Sequence, residues 1–216
     1  MSEFALFMVF SIVECLALYY FMFRLFKIDW HLPSVAFASL IGSYTSYTLR
    51  ISAELASLDI FVQNALLIAF TSLLFQVPVY YAILMACISF IAYVFVQISL
   101  HYILIILIPA LQHLPSSSVS TYTLQAVTAL VIFIAGWYIH KKRIGFSFVP
   151  HSFFVPVKIR SYQILLLLLY VLAFLSVPVS YYLFQYGSIY AITPVAISLL
   201  LIICLYAAYR RDRKHD

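Results

Sequence analysis

Apolar residues run along this chain in long blocks, separated by short stretches that carry nearly all of the charge. A helix needs about 20 mainly apolar residues to cross a bilayer, and that window yields seven spans, at about 4–23, 33–49, 60–75, 79–97, 122–140, 162–182 and 194–209. The fourth block stays apolar from Val79 to Leu111. Those 33 residues make about 50 Å of helix at 1.5 Å per residue, against a hydrocarbon core of about 30 Å. One upright span is too short for them and two are too long. A crossing at 79–97 is therefore expected to continue through His101 and Pro109 as a tilted extension or an interfacial helix.

The separators support the same division. Gln76, Val77 and Pro78 form a tight, chargeless connection that predicts an antiparallel hairpin of spans three and four. Clustered Pro and Ser at Gln112–Ser120 predict a turn. Pro178 is expected to kink span six near its outer end. A chargeless loop over about 185–193 leads into span seven. Span two is short and unusually polar, with Ser39, Ser43, Tyr44, Thr45, Ser46, Tyr47 and Thr48. Its hydroxyls can bond carbonyls one turn back, and its polar face is expected to turn toward other helices.

Composition gives the class. Hydrophobic residues make up 66% of the 216 and charged residues only 9%, whereas soluble domains carry roughly 25% charged residues. The expected fold is an all-α, polytopic integral membrane protein built as a single transmembrane helical domain over 1–216. The N-terminal segment has neither a basic n-region nor a small-residue cleavage site, and is expected to be a retained first span. Cys15, Cys87 and Cys204 fall inside apolar blocks at no metal-like spacing, so they read as small apolar residues. No internal repeat is found, which leaves an inverted-repeat carrier unsupported.

Charge then orients the spans. Lys141, Lys142, Arg143, Lys158 and Arg160 lie between spans five and six without an acid, and short loops rich in Lys and Arg stay cytoplasmic. With 141–160 inside, alternation puts the N-terminus outside and the C-terminus inside. Eleven of the 12 Lys and Arg then lie inside, as two in the first loop, five in 141–160 and four in the tail, leaving Arg50 outside. The net charge of +5 thus reflects topology and anionic lipid, not nucleic acid. Phe146, Phe148, Phe153 and Phe154, interleaved with Pro150 and Pro156, are expected to lie in the headgroup layer.

Candidate chemistry is sparse. Glu14 lies near the middle of span one, where an ionised carboxylate costs several kcal/mol, so it must be protonated, paired or turned to an aqueous cavity. The structural reading is a neutral acid bonded to Ser43 or Tyr44 on span two; the functional reading is a proton, cation or ligand site. Ser39, Gly42, Ser43 and Ser46 stand three and four apart, the pattern that lets helix backbones approach closely. Gln63, Asn64 and Gln97, with Arg50, Glu54 and Asp59 in a short outer loop, either line a polar pocket open to the outside or make interhelical bonds beside a solvated loop. The candidate ligand-binding residues are Glu14, Ser43, Tyr44, Ser46, Asn64 and Gln97. His101, His113, His140 and His151 are too far apart for a local metal motif. No catalytic motif of the protease, hydrolase or paired-aspartate kind is present, and no cofactor is implied.

The layout resembles the N-terminal membrane domain of the peptide-pheromone sensor histidine kinases of the agr and competence type. The residues that carry this are the acid in span one, the basic RLFKI after it, the hairpin FQVPVYYAILMACISFIAYVFVQ, and six or seven spans closing on a basic segment. The resemblance implies a sensor, while the sequence given stops at Asp216, before any kinase domain, so no catalytic residue carries over. The expected function is a sensor, receptor or accessory protein of the cell membrane. It would bind an apolar or peptide ligand from outside and signal through a membrane or cytoplasmic partner, with membrane lipids around it. The alternative is a small-molecule or proton-coupled transporter centred on Glu14, and an intramembrane enzyme is a third class.

Overall fold

The computed structural model describes residues 2–53, 55–107, 119–149 and 192–212, with 167–168, 171–172 and 175. The long elements are α1 (Ser2–Leu25), α2 (Leu32–Tyr47), α3 (Ala56–Phe75), α4 (Val79–Leu107), α5 (Val119–Lys142) and α6 (Ile192–Asp212). No strand occurs among the described residues. Four stretches are long and apolar enough to cross a membrane: Phe4–Leu25, Leu58–Phe75, Val79–Leu104 and Tyr122–Lys142. In α6 the apolar stretch is shorter, Ser198–Tyr209. Most of the expected span six, the turn at 112–118, Pro178, His113, His151, Phe153 and Phe154 lie outside the described residues.

α4 runs without interruption for 29 residues, about 43 Å at 1.5 Å per residue. The crossing and its extension are thus one helix as far as Leu107. Span two differs from expectation. α2 has 16 residues, about 24 Å of helix, and then continues as a π-helical turn over Thr48–Ser52. α3 begins at Ala56. The expected solvated loop from Arg50 to Asp59 is therefore mostly helix, and Asp59 lies in the first turn of α3 with no exposure.

α1, α3 and α5 end with a non-glycine residue in the left-handed conformation: Lys27 (φ 52), Gln76 (φ 55) and Arg143 (φ 55). In α1 the Ile28 N–H donates to Phe23 O (2.9 Å) and the Lys27 N–H to Arg24 O (3.5 Å); in α5 Ile144 donates to Ile139 O and Arg143 to His140 O, both at 3.1 Å. These are Schellman caps, which satisfy carbonyls left over at a helix end. Glycine is the usual occupant of the left-handed position, but the chain has four in all.

α1 is the hub. It packs most extensively on α5 and also meets α2 and α4. Ring contacts fix the α1–α5 register: Phe10 lies 5.3 Å from Tyr122 and Tyr20 stacks on Phe133 at 4.4 Å. Both pairs advance together along the chain, so the two helices are parallel. Phe23 and Phe75, 4.3 Å apart, bring the end of α3 to the same level. Met22 and Phe23 of α1, and Phe26 just beyond its end, are buried with Leu84, Met85, Ile88 and Ile91 of α4. In lipid such contacts gain from close packing and not from leaving water.

The segment after α5 folds back onto the ends of α1 and α4. The Phe146 N–H donates to Leu25 O (2.8 Å), and Phe146 and Phe148 surround Phe26 at 5.6 and 6.0 Å. Gly145, at φ 144, has no room for a side chain, because a Cβ there would sit 2.7 Å from Leu25 O. Phe146, Phe148 and Val149 are therefore buried in protein, and not laid in the headgroup layer as expected. Their apolar area finds a tighter partner in the end of the bundle.

Candidate functional site

Small residues of α2 stand on one face. Ser39, Gly42, Ser43 and Ser46 are all buried, as their spacing of three and four requires of a stripe turned toward neighbouring helices. Thr45 and Thr48 donate their hydroxyls one turn back, to Ile41 O (2.8 Å) and Tyr44 O (3.0 Å). At Gly42 three helices meet: a Cβ there would lie 3.2 Å from Gln63 Oε1 of α3 and 3.9 Å from Cys15 Sγ of α1. The bare backbone lets Gln63 Nε2 donate to Gly42 O (2.9 Å).

Asp59 is the centre of the cluster. Its Oδ2 accepts from Ser46 Oγ (2.9 Å) and from Arg50 Nε, and its Oδ1 accepts from Gln63 Nε2 (3.2 Å). Asp59 and Gln63, four apart on α3, share a face. Ser46 and Arg50 reach the same carboxylate from the end of α2 and its π-helical turn. A buried carboxylate is tolerable when a cation and further donors satisfy it, and here the cation sits at the rim, its side chain 43% exposed.

Glu14 adjoins this cluster but faces another way. The Tyr93 hydroxyl of α4 donates to Glu14 Oε1. The expected bond to Ser43 or Tyr44 is not made. Cys15 occupies the α1 position facing α2, where its thiol lies beside Gly42, and one residue of helix turns the side chain by about 100°. Glu14 is thereby rotated toward α4. It still lies within electrostatic range of both Arg50 and Asp59.

The six candidates thus divide. Ser46 is bonded to Asp59, while Ser43 and Asn64 are buried with no hydrogen-bond partner for Ser43 Oγ or Asn64 Nδ2 among the described residues. Gln97 is partly buried on α4, one turn beyond Tyr93. Tyr44, 60% exposed, points away from the buried stripe. Asp59, Arg50 and Gln63, named among the possible lining of a polar pocket, join the arrangement though they are not among the six candidates, and Tyr93 is the residue the sequence did not suggest. The pair Asp59 and Gln63, polar at i and i+4 where an apolar block begins, was the available signal. Among the described residues no group of three or more His, Cys, Asp or Glu is placed to hold a metal ion.

Comparison with protein-family models, curated proteins and solved structures finds no match to the chain.

Proposed function

We propose that this chain is a seven-span protein of the cell membrane, N-terminus outside and C-terminus inside, of the sensor or accessory type. It takes an apolar or peptide ligand at the outer ends of α2 and α3 and acts through a membrane or cytoplasmic partner. The orientation is supported by the parallel packing of α1 and α5, which gathers Arg24, Lys27, Lys141, Lys142 and Arg143 at one end of the bundle, opposite Arg50. The observation that carries the functional reading is the fully buried Asp59 carboxylate with Arg50 at its rim. Ionisable groups inside a membrane segment are costly and mark functional sites by default. Ile51, Leu55 and Leu58 stand exposed around this rim, so a ligand there meets a guanidinium set in apolar surface. Glu14 is already engaged by Tyr93, which favours this reading over a carrier centred on that acid.

Fluorescent peptides screened by polarisation against the purified protein in nanodiscs test the reading. A binding peptide is expected to lose at least tenfold in affinity with Arg50→Gln. Absence of any peptide whose binding depends on Arg50 or Asn64, with liposome flux abolished by Glu14→Gln, would replace the sensor with the carrier.

A further inference from the structure

The ends of α1 and α5 form a second polar feature, unrelated to the Asp59 cluster. A Cβ on Gly136 would lie 2.9 Å from the Tyr20 ring and 3.2 Å from Phe21 Cα, so the two backbones approach as closely as small residues allow. Each helix then closes with the same cap, and each cap puts a cation, Lys27 or Arg143, in the left-handed position. Arg24, Lys141 and Lys142 precede them. None of these five cations makes an ion pair among the described residues, and Asp29 is the acid of this stretch.

Aromatic rings flank the α1–α5 seam beside the charges. Tyr20 stacks on Phe133, meets Trp30 edge-on at 5.0 Å, and carries the Arg24 guanidinium 5.2 Å above its ring. Trp137 holds the Lys141 ammonium at 4.8 Å. Arg24 Nε is buried without a hydrogen-bond partner. Trp and Tyr of this kind sit at headgroup level in a bilayer, and basic pockets between helices there suit lipid phosphates.

We propose that the groove between the ends of α1 and α5 binds the phosphate headgroup of an anionic phospholipid. Arg24, Lys27 and Arg143 face the phosphate, and the acyl chains lie along the exposed Ile134, Trp137 and Tyr138 of α5. The aromatic lining and the exposed apolar face below it select lipid over free phosphate. The site requires only that α1 and α5 cross a bilayer, and it stands or falls independently of the sensor reading.

The test is native mass spectrometry of the purified full chain with equal amounts of phosphatidylglycerol and phosphatidylcholine, and with inorganic phosphate as competitor. Wild type is expected to retain phosphatidylglycerol selectively. Lys27→Gln with Arg143→Gln is expected to lower retention by about fivefold for each charge removed, while Lys27→Arg with Arg143→Lys keeps it. Gln suits the cap because Gln76 already adopts that conformation at the end of α3. A second variant, Arg24→Gln, leaves both caps untouched and is expected to lower retention by about fivefold. Unchanged retention in both Gln variants, or equal retention of phosphatidylcholine, overturns the proposal. Displacement by millimolar inorganic phosphate overturns it in favour of a free-phosphate site.

Discussion

Tyr93 donates its hydroxyl to Glu14, a hydrogen bond that joins α4 to α1 across 79 positions of sequence. Glu14→Gln retains an acceptor for that hydroxyl and is expected to cost on the order of 1 kcal/mol. Tyr93→Phe leaves the carboxyl without its donor and is expected to cost about 1–3 kcal/mol. Glu14→Leu combined with Tyr93→Phe removes both partners and should fall below the sum. Unfolding midpoints of wild type, Glu14→Leu, Tyr93→Phe and their combination in detergent, read as a double-mutant cycle, check this; strict additivity would dissolve the bond as an energetic unit.

Asp59 and Arg50 are unequal partners. Arg50→Ala strands a buried carboxylate with only Ser46 and Gln63, at an expected cost of about 3 kcal/mol, the lower end for a broken buried pair because the guanidinium is itself partly solvated. Asp59→Asn keeps hydrogen-bonding capacity and releases an arginine that can reach water, so it should cost less. Thermal unfolding of the two variants gives the order, and the reverse order would place the greater burial on Arg50.

Gly42 and Gly136, both buried, differ in what they face. Gly136→Ala pushes a methyl against the Tyr20 ring and the Phe21 backbone, and is expected to cost about 1–3 kcal/mol as overpacking. Gly42→Ala meets chiefly the end of the Gln63 side chain, which can swing aside, so a smaller loss is expected. Equal losses in a thermal scan would mean that the α1–α5 contact has slack.

Topology is tested by single cysteines at Leu55 and Lys142 in a chain freed of Cys15, Cys87 and Cys204. An impermeant thiol reagent on intact cells is expected to label position 55 and spare position 142. Labelling at 142 would invert the bundle.

Much of this architecture was legible because bilayer thickness acts on runs of residues. The blocks at α1, α3, α4 and α5 were visible from length and apolarity, and the tight hairpin at Gln76 from its missing charge. What depended on rotation about a helix axis was not legible. A Tyr within an apolar block looks the same whether it faces lipid or an acid, so Tyr93 gave no sign of Glu14. Asp59 read as a loop residue because charge usually marks a loop; its burial follows from the π-helical turn that swings Arg50 over it. Phe146 and Phe148 were read as interfacial rings, and only the fold-back through Gly145 puts them inside.

The parallel pairing of α1 with α5 also bears on how the chain is made. α1 leaves the ribosome before α5, yet the contact that receives Tyr20 is completed by Gly136, more than a hundred residues later. At about 5–20 residues per second, α1 waits on the order of ten seconds for its largest partner. For most of that interval Glu14 lacks its hydrogen-bond donor, because Tyr93 also arrives late. Chains arrested before Gly136 should therefore present α1 as a loosely held helix, the stage at which a quality-control protease has its best access.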